Sequence, residues 1–434
     1  MKKRKTFKVS VLGCRTNQYE AQAFEDQLIA MGYERASEEE EADVCIINTC
    51  TVTESADSSS RHAIRQLIKQ NPQARVAVTG CYAERNAEAV KKISGVDHVV
   101  LNQNKEKLVE VLFPEEEYPE FSIRRFSDHT RAFVKVQDGC NSFCTYCIIP
   151  YVRGRSRSRT LPEILKEVEE LVHNGHQEIV LTGINIGDFD GGVGKGEPPV
   201  SLAQLVRAVD RVDGVKRVRV SSIDPDEVDD DLLDAIVNGR HTCHSMHIVL
   251  QSGSNVVLKR MNRKYTRQMF IDTVDKLKKA SPKFTFTTDI IVGFPGETET
   301  DHQDTLAMME EVRFAKVHMF PYSDRPRTRA NLYPNKVPSE VIRKRKQEIL
   351  RLSERHAYLL REQFLGETME VLTEQRDKNN PEWITGYTDN FLEVKIRSTA
   401  MQTNQRAWVK LIENHADGCV AELVGDISTA CASA

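Results

Sequence analysis

Short β-branched runs alternate with helix-like segments over the first 320 residues of this 434-residue chain, and this alternation constrains the fold most strongly. In the N-terminal part, strand-like runs fall at 8–12, 43–47, 75–78 and 98–101, with helical spacing at 21–31 and 58–69. Because strands joined by crossover helices run in the same direction, this order predicts a doubly wound parallel sheet. We predict an α/β fold whose first domain spans residues 1–112, followed by an acidic, proline-containing linker over 113–130.

The alternation becomes more regular in the second part of the chain. Candidate strands lie at 132–137, 178–182, 217–222, 246–251, 284–291 and 315–320, with helical patterns between them, for example at 162–173 and 267–280. Six such units are too few for a closed eight-stranded barrel. We therefore predict an open (β/α)6 partial barrel over residues 131–340, with functional residues at the C-terminal ends of its strands.

A basic helix and a group of short strands complete the chain. The helix is predicted over residues 341–365. Its first turns carry Arg343, Lys344, Arg345 and Lys346. Strand-like runs bounded by turn residues follow at 368–372, 391–396, 407–412 and 419–424. Their spacing predicts a small antiparallel β-barrel over residues 366–426, and the small, polar residues 427–434 are predicted to be a frayed tail.

Composition points to a globular protein of a reducing compartment. No run of about 18 uncharged apolar residues occurs, so we expect no membrane span. The basic residues 1–5 are not followed by the apolar region of an export signal, and we expect a cytoplasmic protein without membrane partners. The formal net charge of −4 requires any nucleic-acid site to depend on local basic patches. In this setting, ten cysteines indicate metal ligands or reactive thiols rather than disulfides.

Three cysteines lie within eight residues, in the pattern Cys140-x3-Cys144-x2-Cys147, directly after the first predicted barrel strand. A structural zinc site would need a fourth ligand; none lies at finger-like spacing, although His129 is conceivable. Three thiolates suit a [4Fe–4S] cluster with one open iron. An open iron can chelate the amino and carboxylate groups of S-adenosylmethionine, and electron transfer into the sulfonium then releases an adenosyl radical. We favour the cluster.

A second set of cysteines, Cys14, Cys50 and Cys81, follows three strands of the predicted N-terminal sheet. Because parallel strands end at one edge, where such folds bind ligands, we expect these three side chains to cluster. The alternative is three unrelated buried cysteines, since Cys is among the most buried residue types. The remaining cysteines lack such placement, and we interpret them as structural: Cys45, Cys243, Cys419 and Cys431.

With Tyr146 just before Cys147, the first motif resembles the C-x3-C-x-aromatic-C pattern of the radical S-adenosylmethionine superfamily. Further matching segments stand at predicted strand ends, at 182–185, 221–222, 251–253 and 293–297. Glycines at such positions let the backbone approach a ligand closely. The resemblance implies that S-adenosylmethionine is contacted by Tyr146, Gly183, Asn185, Ser222, Gln251 and Gly293.

Two three-cysteine sets, a six-strand barrel and a small terminal barrel together resemble the radical S-adenosylmethionine methylthiotransferase family over almost the whole chain. The resemblance implies a second [4Fe–4S] cluster on Cys14, Cys50 and Cys81, which hands methylated sulfur to a substrate radical, and a terminal barrel of the TRAM type. It also implies S-adenosylmethionine as both methyl donor and radical source, with an external electron donor such as a flavodoxin-type reductant; it leaves the sulfur donor unassigned. The chain departs from the family pattern His-Ile-Pro-Leu-Gln-Ser-Gly at Val249, which replaces the proline.

Two further segments address the substrate. Residues 13–20 and 386–390 look most like the family branch that converts N6-threonylcarbamoyladenosine, next to the anticodon of tRNA, to its 2-methylthio derivative. Candidate contacts to RNA phosphate are the basic helix and a run beside the first cysteine set: Arg153, Arg155, Arg157 and Arg159. A solvated surface is the alternative for both. Arg263 is a candidate for pairing with a substrate carboxylate.

The charge of the terminal barrel favours a different substrate. Residues 366–434 carry eleven Asp and Glu against six Lys and Arg. An acidic barrel suits a basic protein better than RNA, so methylthiolation of a ribosomal-protein aspartate is one alternative. A non-catalytic iron–sulfur protein that binds RNA or senses redox state is another. The local motifs outweigh this charge, and we expect a tRNA substrate.

Overall fold

The computed structural model of this chain describes residues 4–126, 130–194 and 196–424. Its N-terminal domain holds a five-stranded, wholly parallel sheet in the order β2-β1-β3-β4-β5, as predicted. The elements are β1 (Thr6–Val11), α1 (Arg15–Ala30), β2 (Glu34–Arg35), β3 (Val44–Thr49), α2 (Glu54–Gln70), β4 (Arg75–Gly80), α3 (Cys81–Arg85), α4 (Ala87–Lys91), β5 (His98–Val99) and α5 (Leu108–Leu112), with a 3₁₀ turn at Asn102–Lys107.

Both long helices of this domain begin earlier than the apolar periodicity predicted. In α2, Thr53 is the N-cap, and its hydroxyl accepts a hydrogen bond from the Ala56 amide at 3.1 Å. In α1, the first turns bury polar side chains, including Thr16, Asn17 and Glu20. Apolar periodicity cannot detect a helix face that is buried and polar, because the signal counts only hydrophobic residues.

The central domain is an open barrel of parallel strands, which confirms the predicted architecture. Its elements are β6 (Arg131–Lys135), β7 (Gln137–Asp138), α6 (Ile149–Val152), β8 (Arg157–Ser158), α7 (Leu161–His173), β9 (Glu178–Thr182), α8 (Leu202–Asp210), β10 (Arg217–Val220), α9 (Asp230–Val237), β11 (Ser245–His247), α10 (Asn255–Arg260), α11 (Arg267–Ala280), β12 (Thr285–Val292), α12 (Glu299–Val312) and β13 (Lys316–Pro321). Two three-stranded sheets, β6-β9-β10 and β11-β12-β13, are joined by parallel bridges such as Ile223 to Ile248.

The strand predicted over 246–251 is shorter in the structure, since β11 ends at His247. Beyond it, the Ile248 amide bonds to Thr287 on one side, and the Val249 amide bonds to Ile223 on the other. The chain therefore links the two sheets instead of extending one ladder. Gln251, with φ of 61°, ends the extended stretch.

Helix α13 (Ser339–Glu362) connects the open barrel to a closed five-stranded barrel. Its strands are β14 (Thr368–Arg376), β15 (Trp383–Thr388), β16 (Glu393–Arg397), β17 (Arg406–His415) and β18 (Gly418–Leu423). The pairing is antiparallel except between β16 and β18, which are parallel. Strand β15 was not predicted, because Gly386 inside it resembles a turn residue. A Cβ at Gly386 would collide with the Leu372 carbonyl oxygen, so glycine permits the close crossing of β14 and β15.

The three parts pack against one another. Helix α1 lies against β6 on the open side of the barrel, where the Tyr19 hydroxyl donates to Glu167 at 2.8 Å. The small barrel covers the N-terminal ends of the central strands, where Arg217 donates to the carbonyls of Tyr387 and Glu370 at 2.8 Å. The described part of the predicted linker, residues 113–126 and 130, contains no helix or strand, yet it buries Ile123 and Phe126 in the central core. No helix in the part of the chain described here is long and apolar enough to cross a membrane. The predicted tail, residues 427–434, lies outside the described residues, as does Cys431.

Replacing Gly386 with alanine is expected to destabilise the small barrel by about 1–3 kcal/mol, because the added methyl group meets the β14 backbone. Both tryptophans of the chain, Trp383 and Trp408, lie in this barrel, so tryptophan fluorescence during urea unfolding reports on it selectively. The matched control is Gly194→Ala, whose Cβ would meet only the Glu197 side chain, at 3.5 Å. An unchanged fluorescence midpoint for Gly386→Ala would contradict the packing argument.

Candidate active site

The first cysteine set lies on the loop between β7 and α6, at the C-terminal end of the first barrel strand. Hydrogen bonds hold this loop in place: the Cys140 amide bonds to the Gly154 carbonyl at 3.1 Å, and the Thr145 amide bonds to the Met261 carbonyl at 2.9 Å. Gly139 has φ of +74°, and a Cβ there would collide with the Arg155 backbone. The three thiols are therefore presented by a loop whose path is set by its neighbours.

The surroundings of these thiols fit an anionic cluster. Burial, followed by the neighbouring Cys144, raises the pKa of the Cys147 thiol to about 12, and burial raises the pKa of Cys140. The free thiols of Cys140 and Cys147 would therefore stay protonated at neutral pH, and metal binding would have to displace their protons. The Ser142 amide points at the Cys140 sulfur at 3.4 Å, and the Arg263 guanidinium lies 3.0 Å from the Cys144 sulfur. Such donors stabilise negative charge on sulfur.

Among the described residues, no group of three His, Cys, Asp or Glu side chains is arranged so that it could hold a single metal ion. Thiolates around a polynuclear cluster stand further apart than the ligands of one ion, so this result is compatible with the cluster. His129, the conceivable fourth ligand, lies outside the described residues.

The second cysteine set comes together at the edge of the N-terminal sheet. Cys14 is the N-cap of α1, Cys50 follows β3, and Cys81 opens α3 directly after β4. A Cβ at Gly13 would lie 2.9 Å from the Cys50 sulfur, so the Cys14 loop touches Cys50. Burial, with smaller effects from Cys81 and Cys14, raises the pKa of Cys50 to about 11, and burial raises the pKa of Cys81. The three thiols influence one another electrostatically, so they lie near the same edge of the sheet.

The two cysteine sets adjoin each other across the domain boundary. Cys81 packs against Ile148 and Val152, which directly follow the first set. A cavity of about 190 Å³ opens beside this contact. It is lined from the N-terminal domain by Val52 and Thr53 and from the barrel by Tyr146, Cys147, Ile148, Gln251, Ile291, Phe320, Pro321, Tyr322 and Ser323.

Ion pairs buried at this boundary join the two cysteine loops. The Arg153 guanidinium pairs with Glu20 at 3.1 Å and with Asp138 at 2.8 Å, and it also donates to the Asn17 side chain. Lys105 pairs with the same Glu20 at 2.7 Å. Although burial opposes ionisation, the cations Arg153 and Lys105 hold the pKa of Glu20 well below its ordinary value. All of Glu20, Arg153 and Lys105 are 3% exposed or less.

The prediction that Arg153 contacts RNA phosphate is therefore wrong, because the side chain is buried and paired inside the protein. Arg159 is likewise directed inward, to Glu167 at 3.0 Å. Arg155 is exposed and stacks over Phe143, while Arg157 is half-exposed and pairs with Asp138 at 2.7 Å. Only these last two of the four arginines remain candidates for a surface contact.

Arg263 was predicted to pair with a substrate carboxylate, and the structure contradicts that role. Its guanidinium pairs with Asp224 of the same chain and touches the Cys144 sulfur, and its side chain is 6% exposed. The sequence alone identifies an arginine beside a motif, but it does not show whether a carboxylate of the same protein already pairs with that arginine.

The predicted S-adenosylmethionine contacts fall into two groups. Gln251 and Tyr146 line the cavity next to Cys147, and the buried Oε1 atom of Gln251 has no hydrogen-bond partner among the described residues. Such an orphaned acceptor fits a ligand with an N–H donor, for example the amino group of S-adenosylmethionine. Ser222 is half-buried just beyond the end of β10.

The other predicted contacts have partners within the protein. The backbone N–H of Asn185 donates to the Gln137 side chain at 2.9 Å, and the side-chain amide of Asn185 donates to Glu227 at 2.9 Å. Gly183 packs on Gln137 as well. A Cβ at Gly293 would collide with Ile342 of α13, so this glycine permits helix packing. Sequence reasoning did not single out Glu227, whose pKa is raised to about 7 by burial and by Asp224.

Sequence reasoning also did not single out the side chains inside the barrel lumen. Arg131 and Arg219 lie over the Phe391 ring, at 5.3 and 5.0 Å, where the small barrel closes the lumen. Arg15 reaches into the lumen from α1 and lies over the Phe133 ring at 5.6 Å. Burial, and then Arg131 and Arg219, lower the pKa of Arg15 to about 10. Arg15 follows Cys14 directly and belongs to the segment 13–20. Its position in that segment is the sequence feature that could have identified it.

Comparison with known proteins agrees with this geometry. Residues 134–309 match the Radical SAM superfamily, and residues 6–101 match an uncharacterized protein family, UPF0004. The threonylcarbamoyladenosine tRNA methylthiotransferase MtaB of Chlamydia pneumoniae is 47% identical over 96% of this chain and 98% of its own length. This chain belongs to the radical S-adenosylmethionine methylthiotransferase family. It is an enzyme of that class, and the family implies one [4Fe–4S] cluster and S-adenosylmethionine.

Two further similarities bear on substrate and fold. The tRNA-2-methylthio-N(6)-dimethylallyladenosine synthase of Clostridium perfringens (strain SM101 / Type A) is 35% identical over 97% of this chain and 98% of its own length. The structure of the radical S-adenosylmethionine methyltransferase TsrM from Kitasatospora setae superposes with a TM-score of 0.57 at 13% identity. It covers 76% of this chain and 77% of that one, and it supports the fold alone.

Replacing Glu20 with glutamine is expected to lower the free energy of unfolding by about 3–5 kcal/mol, because Arg153 and Lys105 lose their shared buried counter-charge. Urea unfolding followed by circular dichroism measures the change. Glu169→Gln on the exposed face of α7 is the matched control and should leave the midpoint unchanged. If Glu20→Gln were as stable as the control variant, the ion pairs would not be what holds the two domains together.

Proposed function

We propose that this enzyme attaches a methylthio group to N6-threonylcarbamoyladenosine next to the anticodon of tRNA. The observation that carries the proposal is the juxtaposition of two three-cysteine sets beside one small cavity. The relative that is 47% identical is named for this nucleoside, whereas the dimethylallyladenosine enzyme is 35% identical. The segments 13–20 and 386–390 favour the same branch.

We propose that Cys140, Cys144 and Cys147 hold the radical-generating [4Fe–4S] cluster, and that Cys14, Cys50 and Cys81 hold an auxiliary one. When bound, these groups and S-adenosylmethionine supply radical activation of an inert aromatic C–H bond and delivery of sulfur that already carries a methyl group. Both sets have cationic neighbours: Arg263 beside Cys144, and Arg153 and Lys105 near Cys81. These cations offset the negative charge that thiolate ligation brings into the interior.

The chain's own side chains prepare the space between the two sets. Gln251 offers its free acceptor to S-adenosylmethionine, and Tyr146 flanks the same cavity. Val52 from the N-terminal domain and Phe320 from β13 are 49% and 44% exposed and present apolar surface at this cavity. Apolar walls exclude water from a reactive carbon, which limits side reactions.

We propose that tRNA is bound by the exposed face of α13. That face carries Arg343, Lys344, Lys346, Arg351 and Arg355. Arg345 points the other way, to Glu297 at 2.8 Å, so it contributes to packing rather than to RNA binding. Arg155 and Arg157 offer a second basic patch close to the cysteines.

A tRNA substrate places the enzyme in the cytoplasm. There, an external electron donor, such as a flavodoxin-type reductant, would serve it; the sulfur donor is left unassigned.

Iron content tests the assignment of the two cysteine sets. After anaerobic reconstitution we expect about eight irons per chain, and about four in either Cys144→Ala or Cys81→Ala, because each variant loses one cluster. Cys243→Ala, which removes a buried cysteine outside both sets, is the control and should keep the full content. Finding only stoichiometric zinc would contradict the assignment.

Nucleoside mass spectrometry of tRNA tests the substrate. A deletion strain should lack 2-methylthio-N6-threonylcarbamoyladenosine, because the proposal makes this enzyme the one that carries out the methylthiolation. The gene for the wild-type chain or Cys243→Ala should restore it, and Cys144→Ala should not. Unchanged tRNA together with an altered ribosomal-protein aspartate would instead favour the protein substrate, and loss of the dimethylallyl derivative would favour the other tRNA branch.

A further inference from the structure

The barrel lumen contains a cation that is bonded to no carboxylate among the described residues. The Arg15 guanidinium lies over the Phe133 ring, and among the residues that the structure describes it makes no hydrogen bond or ion pair. A guanidinium carries five N–H donors, and one removed from bulk water calls for acceptors. Arg15 is therefore the side chain of this chamber that is best placed to receive an anion.

Neither of the two carboxylates that act electrostatically on Arg15 is bonded to it. Glu178 bonds to Arg219 at 2.7 Å, and Asp289 lies 3.4 Å from the His247 imidazole. Arg131 pairs with Glu374 at 2.5 Å. His318 faces Arg15 from β13, next to His247. Glu178 and Asp289 thus act on Arg15 only electrostatically, and among the described residues the guanidinium N–H donors of Arg15 have no acceptor.

The register of the barrel strands connects this position to the cavity beside the cysteines. Ile291 and Phe320, which line the cavity, are paired in β12 and β13, and Asp289 and His318 are paired two residues earlier. Alternate residues face the same side of a sheet, so Asp289 and His318 lie one rung deeper, about 7 Å below the cavity wall. Arg15 acts electrostatically on both of them.

We propose that Arg15 binds the carboxylate of the threonylcarbamoyl group and so selects this adenosine over one with an uncharged N6 substituent. The inference rests on the proposed function. A threonylcarbamoyl group carries a carboxylate, whereas a dimethylallyl group is a hydrocarbon that gains nothing from a guanidinium. Arginine pairs with a carboxylate through two parallel hydrogen bonds, which provides orientation as well as affinity. Held in this way, the base would extend from the deep lumen towards the cavity between the two cysteine sets.

Binding of synthetic anticodon stem-loop RNA to the reconstituted enzyme tests the assignment of Arg15. Three RNAs are compared: one with N6-threonylcarbamoyladenosine, one with its methyl ester, and one with N6-dimethylallyladenosine. For the wild-type enzyme, the ester should bind about tenfold to a hundredfold more weakly than the free acid. Arg15→Gln should bind the acid more weakly by the same factor and no longer distinguish acid from ester, while Arg15→Lys should retain part of the preference.

Matched controls separate this role from a structural one. Arg65→Gln, on the exposed face of α2, should bind like the wild-type enzyme. Because Arg15 adjoins Cys14, iron content and reductive cleavage of S-adenosylmethionine without RNA are measured for each variant, and they should be unchanged. If Arg15→Gln lost iron, the comparison of acid and ester binding in the wild-type enzyme and in Arg15→Lys would still show whether Arg15 recognises the carboxylate.

Two results would overturn the assignment of Arg15. They are equal wild-type affinity for acid and ester, or full discrimination retained in Arg15→Gln. Suppose that either result is found and that the wild-type enzyme still methylthiolates the RNA with the free acid. Arg15 would then not recognise the carboxylate, and the proposed function would be unaffected. If the wild-type enzyme modified only the dimethylallyl RNA, the proposed function itself would fail.

Discussion

The buried ion pairs between Glu20 and Arg153 determine how the two cysteine sets meet. Glu20 lies on α1 shortly after Cys14, and Arg153 follows Cys147 at the end of α6, so the pair joins the two cysteine-bearing loops directly. Charges taken out of water are costly unless each has a partner, and here Asp138 and Lys105 complete the set. Separating the domains would leave several charges unpaired at once, which strongly favours one arrangement.

That arrangement explains why the space between the cysteine sets is small and largely apolar. With α3 packed against α6, Cys81 contacts Ile148, and Val52 faces the mouth of the barrel beside Tyr146. A radical step and a sulfur transfer at the same carbon need both reagents within reach of it, and they need water kept away. Arg15 lies over Phe133 of β6 and is not among the residues that line this cavity, so the cation lies apart from the apolar walls.

The sequence was most informative where a pattern had a local cause. Strand-end cysteines were identified because β-branched runs have a simple signature and parallel strands end together. The same reasoning failed for Arg153 and Arg263, since an arginine beside a motif has the same appearance whether it faces solvent or a carboxylate of its own protein. It also missed β15, where Gly386 serves a close strand crossing instead of a turn. Each failure concerns a contact between residues far apart in sequence.

Taken alone, the sequence determined the order of strands and helices, the parallel sheets and the position of cysteines at strand ends, because strand periodicity is encoded within short segments. Only the tertiary structure decided which charged side chains form ion pairs within the protein and which remain available to a ligand. Arg153 became a buried link between domains, and Arg15 is bonded to no carboxylate among the described residues, although both arginines stand near a cysteine motif. The physical reason is that charge is compensated through space, by partners brought together when the three parts pack.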